Sequence, residues 1–183
     1  MNRLFLFAAC LLLSLLVYTC GSTNTQQFEG PFFDLAGYMQ QEIESLQQEE
    51  VELEKTITLN GETETQRISD INYEQELLLF RNADINKPAW IEKYELSTEE
   101  LPEEQIRMTY TATDSTLMTQ LLVVIQQDEE VAAIRIIRKT GSVLSKGRQE
   151  LIYLPRELYS IEAKQEGRVG GHLNSLIEGR FLP

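Results

Sequence analysis

The sequence predicts an α+β fold: two N-terminal helices with an intervening β-hairpin, packed on a curved antiparallel β-meander. Three observations carry this. Apolar side chains recur at helical spacing over residues 32–46 and again over 73–80. Asn60-Gly61 separates two runs of alternating residues. From about Ile91 to the end the period is two, interrupted by short turn signals.

The first helix is expected to open at Pro31, where a missing N–H costs nothing, with Asp34 suited to its positive end. Phe32, Leu35, Ala36, Met39, Ile43 and Leu46 form one apolar stripe. Gln40, Gln41, Glu42, Glu44, Gln47 and Gln48 lie off it, so the helix should rest on a core by one face. A helix lying on a membrane would carry Lys and Arg on its polar face, and this one carries acids.

Val51, Leu53, Ile57 and Leu59 then alternate with Glu52, Glu54, Thr56 and Thr58, a strand half buried on one face. Asn60-Gly61 tolerates the positive φ of a tight hairpin. Glu62 to Ile68 returns as a polar edge strand. Asn72 suits a second N-cap, with Gln75 three residues on. Tyr73, Leu77 and Phe80 share the face of that helix, which ends around Asn82 to Asp84.

The meander follows as candidate strands 91–96, 105–112, 117–126, 130–139, 148–154, 158–165 and 172–182. Turn signals at Thr113-Asp114-Ser115, Gln127-Asp128-Glu129, Thr140-Gly141-Ser142 and Gly170-Gly171 make neighbours antiparallel. Leu121 to Ile125 is apolar without alternation, which predicts a strand covered on both faces. Cystatin-like sheets and half-barrel lipid carriers share this outline at the level of fold alone.

Net charge is −13 and unevenly spread. Residues 20–130 hold 24 acidic and 6 basic side chains, whereas residues 131–183 hold 5 and 9. The acidic part argues against nucleic acid as a partner. Arg135, Arg138, Lys139, Lys146 and Arg148 are scattered along strands and read as a solvated sheet face.

Reactive constellations are sparse. His172 is the single histidine, beside Gly170-Gly171, and lacks the spacings of a nucleophile motif or a common zinc site. It reads as a turn residue. Acid clusters stand at Glu49-Glu50-Glu52-Glu54, Glu99-Glu100-Glu103-Glu104 and Asp128-Glu129-Glu130, without a calcium-loop pattern, and read as solvated loops. Trp90, Tyr153, Tyr159 and Phe181 read as packing residues. No catalytic residue, metal site or cofactor is expected, and the chain is not expected to be an enzyme.

The N-terminus carries the clearest signal. Arg3 precedes fifteen residues, Leu4 to Tyr18, that are apolar except for Ser14. This is short for a membrane span, which needs roughly 20, and fits the charged and apolar regions of a signal peptide. Val17-Tyr18-Thr19-Cys20 resembles a lipobox, the recognition site of lipoprotein signal peptidase. Val17 is a conservative match. Tyr18 and Thr19 depart from the usual small residues, a looseness tolerated in Bacteroidota-like lipoproteins. Ordinary secretion, with cleavage near Cys20 or Ser22, is the competing reading.

The resemblance implies a cleaved signal peptide over 1–19 and lipidation at Cys20. Residues 20–30 then hold the lipidated cysteine and a flexible tether, and 31–183 a single α+β domain. Ten such tether residues reach roughly 17–19 Å. The resemblance also implies a bacterial outer-membrane address. Gly21 to Phe28 lacks the acids that often mark outward display, which points to the periplasmic side.

Two functions remain open. One is a non-enzymatic binding or assembly module of the cell envelope. The alternative is a carrier or binder of a lipid or other apolar ligand in the curve of the sheet. The partners expected are the membrane, through lipid on Cys20, and an envelope protein or apolar ligand. The basic C-terminal portion should lie nearer an anionic bilayer than the acidic portion.

Overall fold

The computed structural model describes residues 30–142, 145–167 and 171–182. The signal segment, Cys20, the tether up to residue 29 and Gly170 lie outside them.

The chain enters as a bent segment pinned by side chains. Asn86 Oδ1 accepts from the Phe32 amide at 3.1 Å, Asn86 Nδ2 donates to the Phe33 carbonyl at 2.9 Å, and the Phe33 amide donates to Tyr110 Oη at 3.1 Å. Helix α1 therefore begins at Leu35, four residues after Pro31, and runs Leu35–Gln48. Asp34 is its cap, accepting from the Gly37 amide at 2.9 Å. Leu35, Met39, Ile43 and Leu46 are fully buried, as the apolar stripe requires.

Strands β1 (Glu52–Leu59) and β2 (Glu62–Ile68) form the hairpin, with Asn60 at φ 49° and Gly61 at φ 95°. The expected second helix is two single turns, α2 (Tyr73–Glu76) and α3 (Leu78–Arg81), broken at Leu77. Asn72 caps the first by accepting from the Gln75 amide at 3.1 Å. Residues 91–93, expected to open a strand over 91–96, belong instead to a 3-10 helix, Pro88–Lys93, which Pro88 opens with its preset φ, and the strand starts at Tyr94.

The sheet continues as β3 (Tyr94–Glu100), β4 (Gln105–Ala112), β5 (Thr119–Gln127), β6 (Glu130–Ser142), β7 (Ser145–Leu154), β8 (Leu158–Gly167) and β9 (His172–Leu182). Thr140-Gly141-Ser142 is thus strand and not turn. Among the described residues all strands join one antiparallel sheet of order β2-β1-β9-β8-β7-β6-β5-β4-β3. The hairpin is therefore no separate element between helices. It is the far edge of the same sheet, with Leu53 opposite Phe181 and Ile57 opposite Ile177.

One face of the sheet, here the inner face, carries the helices. Segment 76–83 crosses it from β1 to β5. Glu76 bonds Lys55 Nζ at 2.7 Å and Tyr159 Oη at 2.5 Å, and Thr119 Oγ1 donates to the Ala83 carbonyl at 3.0 Å. Under this segment and α1 the core is filled by Tyr73, Phe80, Tyr153, Tyr159 and Phe181, whose contacting rings lie 5.8–6.3 Å apart. Such pairs contribute roughly 0.5–1.5 kcal/mol each beyond their buried area. Gly179 is buried because the Tyr159 ring lies on it; a Cβ there would meet Tyr159 Cε1 at 2.2 Å.

The outer face has no covering layer among the described residues. Leu121, Val123 and Ile125 of β5 are half-buried on it, so this strand is covered on one face only, against the expectation from its apolar run.

Candidate functional site

Among the described residues each face of the sheet leaves a surface open. On the inner face the helices stop partway along the strands. Beyond the crossing segment, Ile57 and Leu59 are 42 % and 48 % exposed although register places them on the core side with Leu53. Leu173 is 43 % exposed there. It borders a hollow of about 370 Å³ with Thr140, Gln149, Ala163 and Gln165.

Arg138 closes this region at β6. It follows Ile134 and Ile136 at period two, so strand geometry turns it inward with them. It is only 6 % exposed. Its Nη atoms donate to the Leu79 carbonyl at 3.5 Å and the Met118 thioether at 2.8 Å. Its Nε has no partner among the described residues. Burial lowers the guanidinium pKa. The expectation of a solvated face for all five C-terminal cations therefore fails at Arg138. The signal that finds it is the alternation Ile134-Ile136-Arg138 against Arg135-Ile137-Lys139.

On the outer face, Thr111, Leu121 and Ile137 lie side by side across β4, β5 and β6. With Gln120, Lys139, Lys146 and Arg148 they border a hollow of about 750 Å³. Lys139 and Arg148 are cross-strand partners, and Lys146 shares their face. Lys139 Nζ donates to the Ser115 carbonyl at 3.2 Å. Among the described residues Lys146 and Arg148 have no carboxylate in ion-pair range, although Glu166 is the cross-strand partner of Lys146; the neighbouring Glu150 and Glu162 pair with Arg135 and Lys164 at 2.7 Å each. The result is an apolar floor with a basic rim, flanked on its β8 side by Glu162 and Glu166.

The residues singled out from the sequence are not brought together. His172 is exposed at the head of β9, opposite Glu166. Glu49 is held below the usual carboxylate range by Arg156 and Ser45. Glu52 pairs with Arg67, and Glu99 with Arg107 at 3.0 Å. Glu103, Glu104, Asp128 and Glu129 sit at positive φ in strand connections. No group of three His, Cys, Asp or Glu among the described residues is placed to hold a metal ion. Tyr153, Tyr159 and Phe181 are core, and Trp90 is half-buried with Lys87 Nζ 4.0 Å from its ring centroid. No described helix is long and apolar enough to cross a membrane.

The chain matches no protein-family model, no curated protein and no solved structure.

Proposed function

We propose that this chain is a lipid-anchored bacterial envelope protein that binds and does not catalyse, seated on its membrane by the outer face of its sheet. Cys20 carries the lipid, and the protein faces the periplasm from the outer membrane. The single observation that supports the seating is the basic rim of Lys139, Lys146 and Arg148 around Leu121 and Ile137. Each such cation near an anionic surface contributes about 1 kcal/mol. That is weak alone, but the tether raises the local concentration of the surface. The entering segment is tied to Tyr110 of β4, and the next residue, Thr111, borders the patch on the opposite face. The lipid and the patch can therefore reach one bilayer together.

Assembly through a sheet edge is the less favoured form of binding. Edge strand β2 carries Glu62, Glu64 and Arg67, and β3 carries Glu95, Glu99 and Glu100. Charges of this kind oppose strand addition.

Metabolic labelling with a fatty acid tests the anchor: wild type takes the label and Cys20→Ala does not. Co-flotation of residues 20–183, unlipidated as Cys20→Ser, tests the seating. Binding to vesicles with anionic headgroups is expected, with a loss of about tenfold or more in Lys146→Glu/Arg148→Glu. Equal flotation with neutral vesicles would remove it. Protease added to intact cells should leave the domain uncut.

A second reading is favoured by the exposed Ile57, Leu59 and Leu173: an apolar ligand held on the inner face. The filled core under the helices excludes a deep cavity there, so this ligand lies in the open half of the curve.

A further inference from the structure

We propose that the open half of the inner face binds a single-chain anionic amphiphile of the fatty-acid class, with its carboxylate on Arg138 and its chain laid across β7, β8 and β9 toward Leu59. This rests on the second reading above and names its ligand.

Cross-strand partners form one continuous row. Arg138 faces Gln149, Gln149 faces Ala163, Ala163 faces Ser175, and Ser175 faces Leu59. Four strand spacings make the row about 19 Å long, the span of an extended long-chain acyl group. The two ends differ. At β6 lies a buried cation; at β1 and β9 lie exposed Leu59, Ile57 and Leu173. The hollow beside Gln149 and Ala163 occupies the middle.

A guanidinium out of water without a counter-charge is strongly disfavoured. Arg138 has no carboxylate in ion-pair range among the described residues, and the Met118 thioether is a weak acceptor. Met118 is itself 51 % exposed, so it can leave without opening the core. A carboxylate entering in its place supplies charge-assisted bonds that fit the planar fork and reach the orphaned Nε. Lys55, the other cation that the described strands place on this face, is already neutralised by Glu76 at 2.7 Å, so the head group that Arg138 matches is singly charged. One guanidinium matches one carboxylate better than a phosphate dianion.

The test uses residues 20–183, which retain every residue of the buried core, and compares hexadecanoate with hexadecanol by calorimetry. Wild type is expected to bind the acid at least about tenfold more tightly than the alcohol. Arg138→Gln, checked for folding by circular dichroism, should erase that difference while keeping the alcohol. Should Arg138→Gln fail to fold, Met118→Ala decides: it should tighten the acid alone, since the competing thioether is gone. Equal affinity of wild type for acid and alcohol overturns the role of Arg138 and leaves the apolar groove standing. No binding of either compound overturns the groove reading as well. Ala163→Trp, which fills the middle of the row, should abolish both.

Discussion

Tyr153 and Tyr159 are fully buried, yet each hydroxyl meets a carboxylate on a helical segment: Tyr153 Oη donates to Glu42 at 2.7 Å and Tyr159 Oη to Glu76 at 2.5 Å. Tyr73 Oη donates to the Val51 carbonyl at 2.8 Å, and Tyr94 Oη to the Thr119 carbonyl at 2.6 Å. These phenols tie sheet to helices as neutral donors. Burial pushes the pKa values of Tyr73 and Tyr94 up to about 12, and those of Tyr153 and Tyr159 higher still, the latter two helped by Glu42 and Glu76. The sign follows directly. An unfolded tyrosine ionises near its ordinary value of 10.0, while the folded one stays protonated. Their stabilisation is complete below pH 10 and declines as pH rises from there toward the folded values. Tyrosinate absorbance is therefore expected to appear together with loss of the folded circular dichroism signal between about pH 10 and 12; ionisation of Tyr73 and Tyr94 in a still-folded protein would contradict this. That Tyr153 and Tyr159 are core was legible from strand alternation. That Glu42 serves one of them was not, because helical periodicity sorts it with the solvated face and only the sheet supplies its donor.

At the scale of elements, α1, the β1–β2 hairpin and most strand positions follow from period and turn chemistry. The second helix did not survive as one piece. Leu77 adopts φ −99° and ψ 7°, and the two turns on either side are pulled apart by separate tertiary contacts, Glu76 to β1 and β8, and the Leu79 carbonyl to Arg138. Short helices depend on packing more than on propensity, so no local rule could have placed the break. The hairpin is the opposite case. Gly61 at φ 95° has open space around its α-carbon, so Gly61→Ala meets no clash and reports backbone strain alone. A loss of about 1 kcal/mol is expected, measured by urea unfolding. The turn also carries a tertiary clasp: the Asn60 amide donates to the Asn174 carbonyl at 2.9 Å, and Asn60 Oδ1 accepts from the Asn174 amide at 3.1 Å. Strain there should therefore loosen the contact with β9 as well, seen as faster hydrogen exchange at Asn60 and Asn174.

For the whole molecule, the pairing of β1 with β9 decides which parts fold together. Removing residues 172–183 takes away Phe181 from the aromatic core and both neighbours' ladder bonds, so the truncated chain is expected to lose cooperative unfolding altogether, read by thermal circular dichroism. A truncated chain that keeps a sharp transition would mean the hairpin is stable on the helices alone. The sequence pointed to a meander but not to this closure, since register between elements more than a hundred residues apart leaves no local trace. Uncovered Leu121 was hidden for a related reason, since it depends on which face the helices choose, whereas inward Arg138 was legible in its alternation with Ile134 and Ile136. The same closure bears on how such a chain matures. On the export route proposed above, the chain is threaded N-terminus first and delivers β1 and β2 early and β9 last. Until the final residues emerge, the hairpin waits with one unsatisfied edge beside unburied Leu53. On that proposed route productive folding is deferred to the end of translocation, and Glu52, Glu54 and Lys55 of β1 itself charge the waiting edge against premature partners.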